Sequence, residues 1–299
     1  MEFRISPPLS LHRQGVRSYN EDFMYPEPGT AAEADRLFMV CDGVGGSVHG
    51  DQASRAVCRH FSSFVRENEH RLGASAAHAE AWKSLLEEAL RHTEAQMDES
   101  IAQNPGFRGM ATTLTFLYLT PHGAVVAWAG DSRVYQLRDG SVRYRTEDHS
   151  LVNELFKRGE ITAEELENHP RKNVILRAVS GGANPTKIEV ALLSDLRSGD
   201  RFLLCTDGVV DGMREAELVD LLSANRPHGE IVDELDTACQ LHSRDNYTLY
   251  FFELLDVTGK PAAASSDAYR AEPTLSGPPI GVPAPRKSSG LDFKQLVLV

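Results

Sequence analysis

Leu37-Phe38-Met39-Val40-Cys41 runs straight into Asp42-Gly43-Val44-Gly45-Gly46. An unbroken apolar strand that ends on an acid followed by glycine sets the reading of the whole chain. The passage recurs: Phe202-Leu203-Leu204-Cys205-Thr206 ends in Asp207-Gly208, and Val125-Val126-Ala127-Trp128-Ala129-Gly130 ends in Asp131. Asp245, with Asn246 after it, opens a last apolar stretch. One Asp-Gly pair alone reads as a tight turn, because both residues tolerate positive φ. Asp139-Gly140, between short alternating runs, is read that way. At Asp42 the turn reading weakens, because Gly43, Gly45, Gly46 and Gly50 follow in close order. At Asp207 it weakens again, because a carboxylate at the end of a buried strand is costly unless paired or metal-bound. Acids at adjacent strand ends would make a cage of hard oxygens, which suits Mg²⁺ or Mn²⁺. Few His residues lie near these positions, which argues against zinc.

Outward from these strand ends, apolar or alternating runs predict strands over 36–41, 112–119, 124–129, 134–137, 201–205 and 248–254. Helical periodicity covers 51–67 and 76–102, where Trp82, Leu85, Leu86, Ala89, Leu90 and Met97 share a face. Further helices are expected over 151–158, 163–167, 215–223 and 229–242, the second of them capped by Thr162 with Glu165 three residues on. Helices gathered between runs of strands argue for packed sheets with helices outside, an α+β class rather than regular βαβ alternation.

The 299 residues are 41% hydrophobic and 25% charged, which excludes collagen-like, wholly disordered and coiled-coil chains. The net charge of −12 repels nucleic acid and anionic lipid, so neither is an expected partner. The four Cys show no CxxC spacing, so neither a disulfide framework nor a zinc site is expected, and Cys41 and Cys205 read as small hydrophobes. No apolar run approaches the roughly 20 residues of a membrane span, and the start Met1-Glu2-Phe3-Arg4 lacks a signal-peptide core. A cytoplasmic protein is the expectation. Six of the 15 Pro fall after Val257, among Ala, Ser and Gly. Residues 258–299 are therefore expected to be a disordered tail behind a domain spanning 1–257.

In Arg13-Gln14-Gly15-Val16-Arg17-Ser18-Tyr19-Asn20-Glu21-Asp22, Arg13 reads as a surface ion pair. An arginine fixed beside a metal site has a second use, because its planar fork binds phosphate in a bidentate manner.

Taken in order, the motifs resemble the type 2C metal-dependent protein phosphatases in their compact bacterial form. They are Arg17-Ser-Tyr-Asn-Glu21-Asp22, Asp42-Gly-Val-Gly-Gly46 with Gly50-Asp-Gln-Ala-Ser54, Gly109-Met-Ala-Thr-Thr-Leu114, Ala129-Gly-Asp131-Ser-Arg-Val-Tyr135, Cys205-Thr-Asp207-Gly208 and Asp245-Asn-Tyr-Thr248. Asp148-His-Ser150, Gly159-Glu-Ile-Thr162 and His169-Pro-Arg-Lys-Asn-Val174 resemble the family's flap, placed at about 148–182. The resemblance implies a four-layer αββα sandwich of two antiparallel sheets flanked by helices, with the site in a cleft at one edge. It implies that Asp42 bridges two Mn²⁺ or Mg²⁺ ions, that the Gly43 carbonyl ligates one, and that Asp207 and Asp245 complete the other. It also implies that Glu21 and Asp22 act through metal-bound waters, that Arg17 holds the substrate phosphate, and that Asp131 helps bind a third ion. The implied reaction is hydrolysis of phosphoserine and phosphothreonine in proteins by a water ionised between two cations, with no covalent intermediate. The implied partners are phosphoproteins and a bacterial Ser/Thr kinase pathway, with the enzyme a monomer and the flap setting substrate preference. One departure stands out: Val44 occupies a position where some members carry His, which leaves the leaving-group acid unassigned. Two other readings are a phosphatase-like binding module without turnover and a nuclease or phosphodiesterase. The retained Arg17, Asp42, Asp207 and Asp245 argue against the first, and the acidic charge argues against the second.

Overall fold

The computed structural model describes residues 1–44, 49–181, 185–211 and 213–259. Gly45 and Gly46 of the glycine run, Gly182 at the end of the expected flap, and the expected tail beyond Gly259 lie outside the described residues. The chain enters through β1 (Glu2–Ile5), β2 (Leu9–Arg13), β3 (Phe23–Tyr25) and β4 (Leu37–Cys41). Two long helices follow, α1 (Gly50–Asn68) and α2 (Ala79–Gln103), then β5 (Ala111–Thr112), β6 (Leu114–Thr120), β7 (Gly123–Ala129), β8 (Arg133–Arg138) and β9 (Ser141–Arg145). The flap region holds α3 (Leu151–Lys157), α4 (Ala163–Asn168) and β10 (Val179–Ser180). β11 (Glu189–Leu193), β12 (Arg201–Cys205), α5 (Asp207–Val210), α6 (Glu215–Ser223), α7 (His228–His242) and β13 (Tyr247–Thr258) complete the order.

One sheet runs β1-β13-β12-β8-β9, with β2 also on β13, and the other runs β11-β7-β6-β4-β3, every pairing antiparallel. The period-2 alternation of the strands sorts their side chains into layers. In β4, Leu37, Met39 and Cys41 face a core shared with α1 and α2, while Phe38 and Val40 face the opposite sheet. In β12, Phe202 and Leu204 meet Phe38 between the sheets, and Leu203 and Cys205 pack under α6 and α7. β13 repeats the split: Tyr250 and Phe252 lie between the sheets, Leu249 and Phe251 under the helices. Three stacked cores make four layers, helices outside and two sheets within, as the fold expectation has it.

The hairpin reading of Asp139-Gly140 holds: both take positive φ, 51° and 72°, between β8 and β9. The Thr162 cap forms its full capping box with Glu165. Two expectations shift. The run predicted as one strand over 112–119 is broken at Thr113, which turns its backbone N–H to the Asp42 carbonyl at 2.8 Å. The second long helix starts at Ala79 rather than 76, because residues Glu69–Ala77 form a 3₁₀ segment interrupted at Gly73, φ 49°. β1 and β3, at four and three residues, are too short to stand out by periodicity, and β2 and β11 are not among the expected strands.

Candidate active site

The strand-end acids converge because the strands carrying them are fixed by partners far away in the chain. Asp42 leaves β4 with its N–H donated to Thr113 Oγ1 at 2.9 Å, while its carbonyl accepts from Thr112 Oγ1 at 2.7 Å. Thr113 Oγ1 is also 2.8 Å from Ser132 Oγ, so one threonine ties the end carrying Asp42 to the end carrying Asp131. On the other sheet, Thr206 Oγ1 accepts from the Thr248 N–H at 3.0 Å and donates to Asp22 Oδ2 at 2.9 Å. Asn246 donates to the carbonyls of Gln14 and Tyr19, at 2.7 and 3.0 Å, and accepts from the Glu21 N–H at 2.9 Å. That clamp sets the 14–21 loop against the start of β13. None of these organising residues was assigned a role from sequence. The signal for them was thin: polar side chains inside or beside apolar strands.

The outcome is a concentrated negative charge. Asp207 acts electrostatically on Asp22, Asp42 and Asp131, and is itself acted on by Asp245. Burial pushes Asp22 up to about 7 and Asp207 up to about 6, with neighbouring carboxylates adding to both. Asp42 is raised well above the usual carboxylate range, first by burial and then by Asp207, Asp22 and Asp131. Asp131 is raised well above that range too, by burial and then by Asp207 and Asp148. Asp22 and Asp131 are buried, whereas Asp42 and Asp207 keep a strip of surface open although protein packs around both carboxyls. Asp42 and Asp207 act on one another, and the sum of burial and like charge favours the protonated form of Asp42.

Whether these residues fit divalent cations follows from their unsatisfied atoms. Among the described residues, Glu21 Oε1, Asp22 Oδ1 and Asp207 Oδ1 are buried oxygens without a hydrogen-bond partner. Such orphans are rare in folded proteins and mark an ion or water site. Every converging side chain offers hard oxygen, the donor type Mg²⁺ and Mn²⁺ take. Among the described residues, no group of three or more His, Cys, Asp or Glu is spaced so as to hold a metal ion as the chain stands. The acids fit the ions in the chemistry of their donors and in their unmet bonding.

Arg17 lies at the rim. Its Nη2 donates to Asp245 Oδ2 at 2.5 Å and its Nε to the Arg244 carbonyl at 3.1 Å. Glu21 is raised chiefly by burial, and its Oε1 lies so near the head of α1 that a Cβ on Gly50 would sit 2.7 Å from it. Gly43 is held by its N–H to the Glu21 carbonyl, 3.2 Å, and by a bridge to Thr112. Arg13 forms the expected surface ion pair, 3.0 Å from Asp236. His49, close in sequence, packs its ring on Phe107.

The flap is moored to this cluster at three places. Arg133 grips Asp148 with two hydrogen bonds, 2.8 and 2.7 Å. Lys172 reaches Asp211, just past α5, at 2.7 Å. His149 accepts the Gly130 N–H on Nδ1 at 3.2 Å, donates its own N–H to the Gly130 carbonyl at 2.9 Å, and stacks on Trp128. Its carbonyl takes the Leu176 N–H at 2.7 Å, so one residue joins both arms of the flap to the turn bearing Asp131. Burial and then Arg177 lower His149 to about 4, which keeps the ring neutral and its Nδ1 an acceptor.

Gly208 shows how tightly the site is closed. A Cβ there would sit 2.0 Å from the Asn246 carbonyl oxygen. Gly208→Ala is expected to destabilise the protein by about 1–3 kcal/mol through overpacking. Urea unfolding checks this, and an unchanged midpoint would count against the close approach.

A family profile described as Protein phosphatase 2C matches residues 15–242. A serine/threonine phosphatase, stp, of Listeria innocua is 34% identical over 248 residues, 81% of this chain and 92% of the relative. The crystal structure of the Mycobacterium tuberculosis serine/threonine phosphatase PstP/Ppp superposes with a TM-score of 0.69 at 28% identity, covering 84% of this chain and 99% of that one. The PstP catalytic domain in complex with two manganese ions gives 0.68 at 26% identity, covering 85% and 100%. Matched length, retained acids and a shared sandwich lead to one conclusion: the chain belongs to the protein phosphatase 2C family.

Proposed function

We propose that the chain is a metal-dependent protein-serine/threonine phosphatase that hydrolyses phosphoserine and phosphothreonine esters in proteins and reverses a bacterial Ser/Thr kinase. The observation that carries this reading is the meeting of Asp22, Asp42, Asp131, Asp207 and Asp245 beside Arg17, with buried carboxylate oxygens left unpartnered. In this reading Asp42 would serve both of two Mn²⁺ or Mg²⁺ ions, the Gly43 carbonyl one of them, and Asp207 and Asp245 the other. Glu21 and Asp22 would act through intervening waters, and Asp131 would help to hold a third ion. When bound, such ions offset charge on phosphoryl oxygens and make water a better nucleophile.

The remaining steps belong to the chain. Arg17 uses two of its N–H donors on Asp245 and Arg244 among the described residues, and a guanidinium has five. The others are available to phosphoryl oxygens, and the Asp245 contact fixes the direction of the fork. Proton release from Asp42, Asp22 and Asp207 readies the cluster for cations, and the burial that raises their pKa values makes the cluster bind ions more readily as pH rises. We assign the catalytic unit to residues 1–257 with the flap at 148–182, and leave 258–299 outside it. We take the enzyme to be a monomer in the cytoplasm. The four cysteines are free and buried, in keeping with a reducing compartment, and no helix among the described residues is long and apolar enough to cross a membrane.

The test is release of phosphate from a phosphothreonine peptide with and without Mn²⁺, beside an oligonucleotide substrate. Mn²⁺-dependent turnover of the peptide alone supports the reading. Turnover of the oligonucleotide would favour the nuclease alternative, and turnover of neither would favour the binding module. Arg17→Ala is expected to lower kcat/KM by about 10- to 100-fold through loss of charged hydrogen bonds. An unchanged value would remove Arg17 from phosphate binding.

A further inference from the structure

Arg17 is bracketed by two of the most open apolar side chains among the described residues: Val16 is 69% and Tyr19 59% exposed. Single exposed hydrophobics are ordinary on a protein surface. These two differ because the loop that carries them is held rigid from beneath. Asn246 grips the carbonyls of Gln14 and Tyr19, and Gln14 Nε2 donates to the Arg17 carbonyl at 2.7 Å. Gly15 takes φ +59° with no room for a Cβ, which would lie 2.3 Å from the Asp245 carbonyl. With the backbone fastened on its inner side, the side chains of residues 16, 17 and 19 are left to solvent. Little ordering entropy remains to be lost when a ligand covers them.

We propose that Val16 and Tyr19 form an apolar rim that receives the residues flanking the phosphorylated Ser or Thr, so that the enzyme prefers sites with apolar neighbours. The proposal rests on the phosphatase reading above and names its substrate class more narrowly. Its geometry follows from Arg17. With the phosphate on that guanidinium, Val16 is one residue away and Tyr19 two. Consecutive Cα atoms are about 3.8 Å apart, so exposed side chains one and two residues from Arg17 lie close enough to meet substrate residues flanking the phosphorylated one. An apolar side chain there covers Val16 and Tyr19 and removes their surface from water. A glycine does not. Hydrophobic contacts of this size discriminate by about tenfold or somewhat more.

The experiment compares two peptides of equal length and charge under Mn²⁺, one with Leu on both sides of phosphothreonine and one with Gly on both sides. The wild-type ratio of kcat/KM, Leu over Gly, is expected to be about tenfold. In Val16→Ser/Tyr19→Ser it is expected to fall to about one, with V16S and Y19S alone in between. Val142→Ser removes another exposed apolar side chain, on the β8–β9 hairpin, and is expected to keep the wild-type ratio. Thermal unfolding of each variant shows whether it is folded, and the ratio is insensitive to the fraction of active enzyme. Equal turnover of both peptides by wild type, or a preference that survives in V16S/Y19S, overturns the rim. Failure of wild type to hydrolyse either peptide overturns the phosphatase reading instead.

Discussion

Asp42→Asn is expected to abolish turnover and, in the same protein, to raise the stability of the metal-free fold. The two effects have one origin. Burial, then Asp207, Asp22 and Asp131, press Asp42 toward its protonated form. Folding at neutral pH therefore requires proton uptake by a group that is ionised in the unfolded chain, at about 1.4 kcal/mol per unit of separation. An asparagine side chain has the same shape and donates to Asp207 without that uptake. Its backbone bonds to Thr112 and Thr113 are untouched. In chelator at pH 7.5, the variant should melt about 5 °C above wild type, which corresponds to about 1–2 kcal/mol for a chain of this size. Turnover with Mn²⁺ should fall by at least about 10³-fold, or some 4 kcal/mol of barrier. The variant should also lose most of the thermal shift that Mn²⁺ gives wild type. Lower stability in chelator would mean that the carboxylates are not opposed to one another, and retained activity would take Asp42 out of the site.

This opposition explains which parts of the site were legible in sequence. Asp42, Asp131 and Asp207 were visible because each ends an apolar strand, where a carboxylate conflicts with its surroundings and the conflict points to function. The layers were legible only in part: the unbroken apolar runs 37–41 and 202–205 say that both faces of each strand are buried, and the fold alone shows which face meets helices and which meets the other sheet. The groups that hold the acids in place were much harder to see. Thr113 reads as one more residue of a β run until its N–H is found on Asp42 rather than in a strand ladder. Asn246 reads as half of an Asp-Asn turn, yet its partners, Gln14 and Tyr19, lie 232 and 227 residues away. His149 looks like a loop histidine, and only the closed fold brings Gly130 and Leu176 to it. Periodicity reports which face of an element is buried. It carries no information about which polar group waits on the other side.

The supports also differ in kind from the acids they hold. Thr113, Thr206 and Asn246 spend their donors and acceptors on backbone groups and on the side chains of Ser132 and Asp22, so they fix strand ends without adding charge. Arg133 is the exception. It spends its guanidinium hydrogen bonds on Asp148 and Tyr135, and its charge partly offsets Asp131 and Asp207 from the side. Positive charge thus stands around the aspartates, at Arg17 and Arg133, and the centre is left to be neutralised by protons or by cations.

Competition between protons and cations makes metal-free stability fall as pH rises above neutrality. The sign is fixed by the raised acids. Asp22 titrates at about 7 and Asp207 at about 6 in the folded chain, against an ordinary 3.8, and Asp42 and Asp131 lie well above 3.8. Between that ordinary value and their folded values the native state binds more protons than the unfolded state, so stability is lost as pH climbs through the window. Histidines work the other way at the acid end. His149 is lowered to about 4 and His12 is also lowered, both chiefly by burial, so each favours the folded state more as pH rises toward 6.5. The slope is therefore read between pH 7 and 8, where the histidines are mostly neutral in both states and the raised acids, Asp22 at about 7 among them, still separate the two. One proton of difference corresponds to about 1.4 kcal/mol per pH unit, so the melting temperature in chelator should drop by about 4 °C per pH unit. Saturating Mn²⁺ replaces the protons, flattens that slope, and raises the melting temperature more at pH 8 than at pH 7. Differential scanning fluorimetry across this interval, with and without Mn²⁺, reads both quantities. A melting temperature that stays level or rises with pH in chelator would mean that Asp22, Asp42, Asp131 and Asp207 are not raised by burial and mutual repulsion in the way that cation binding is argued to require.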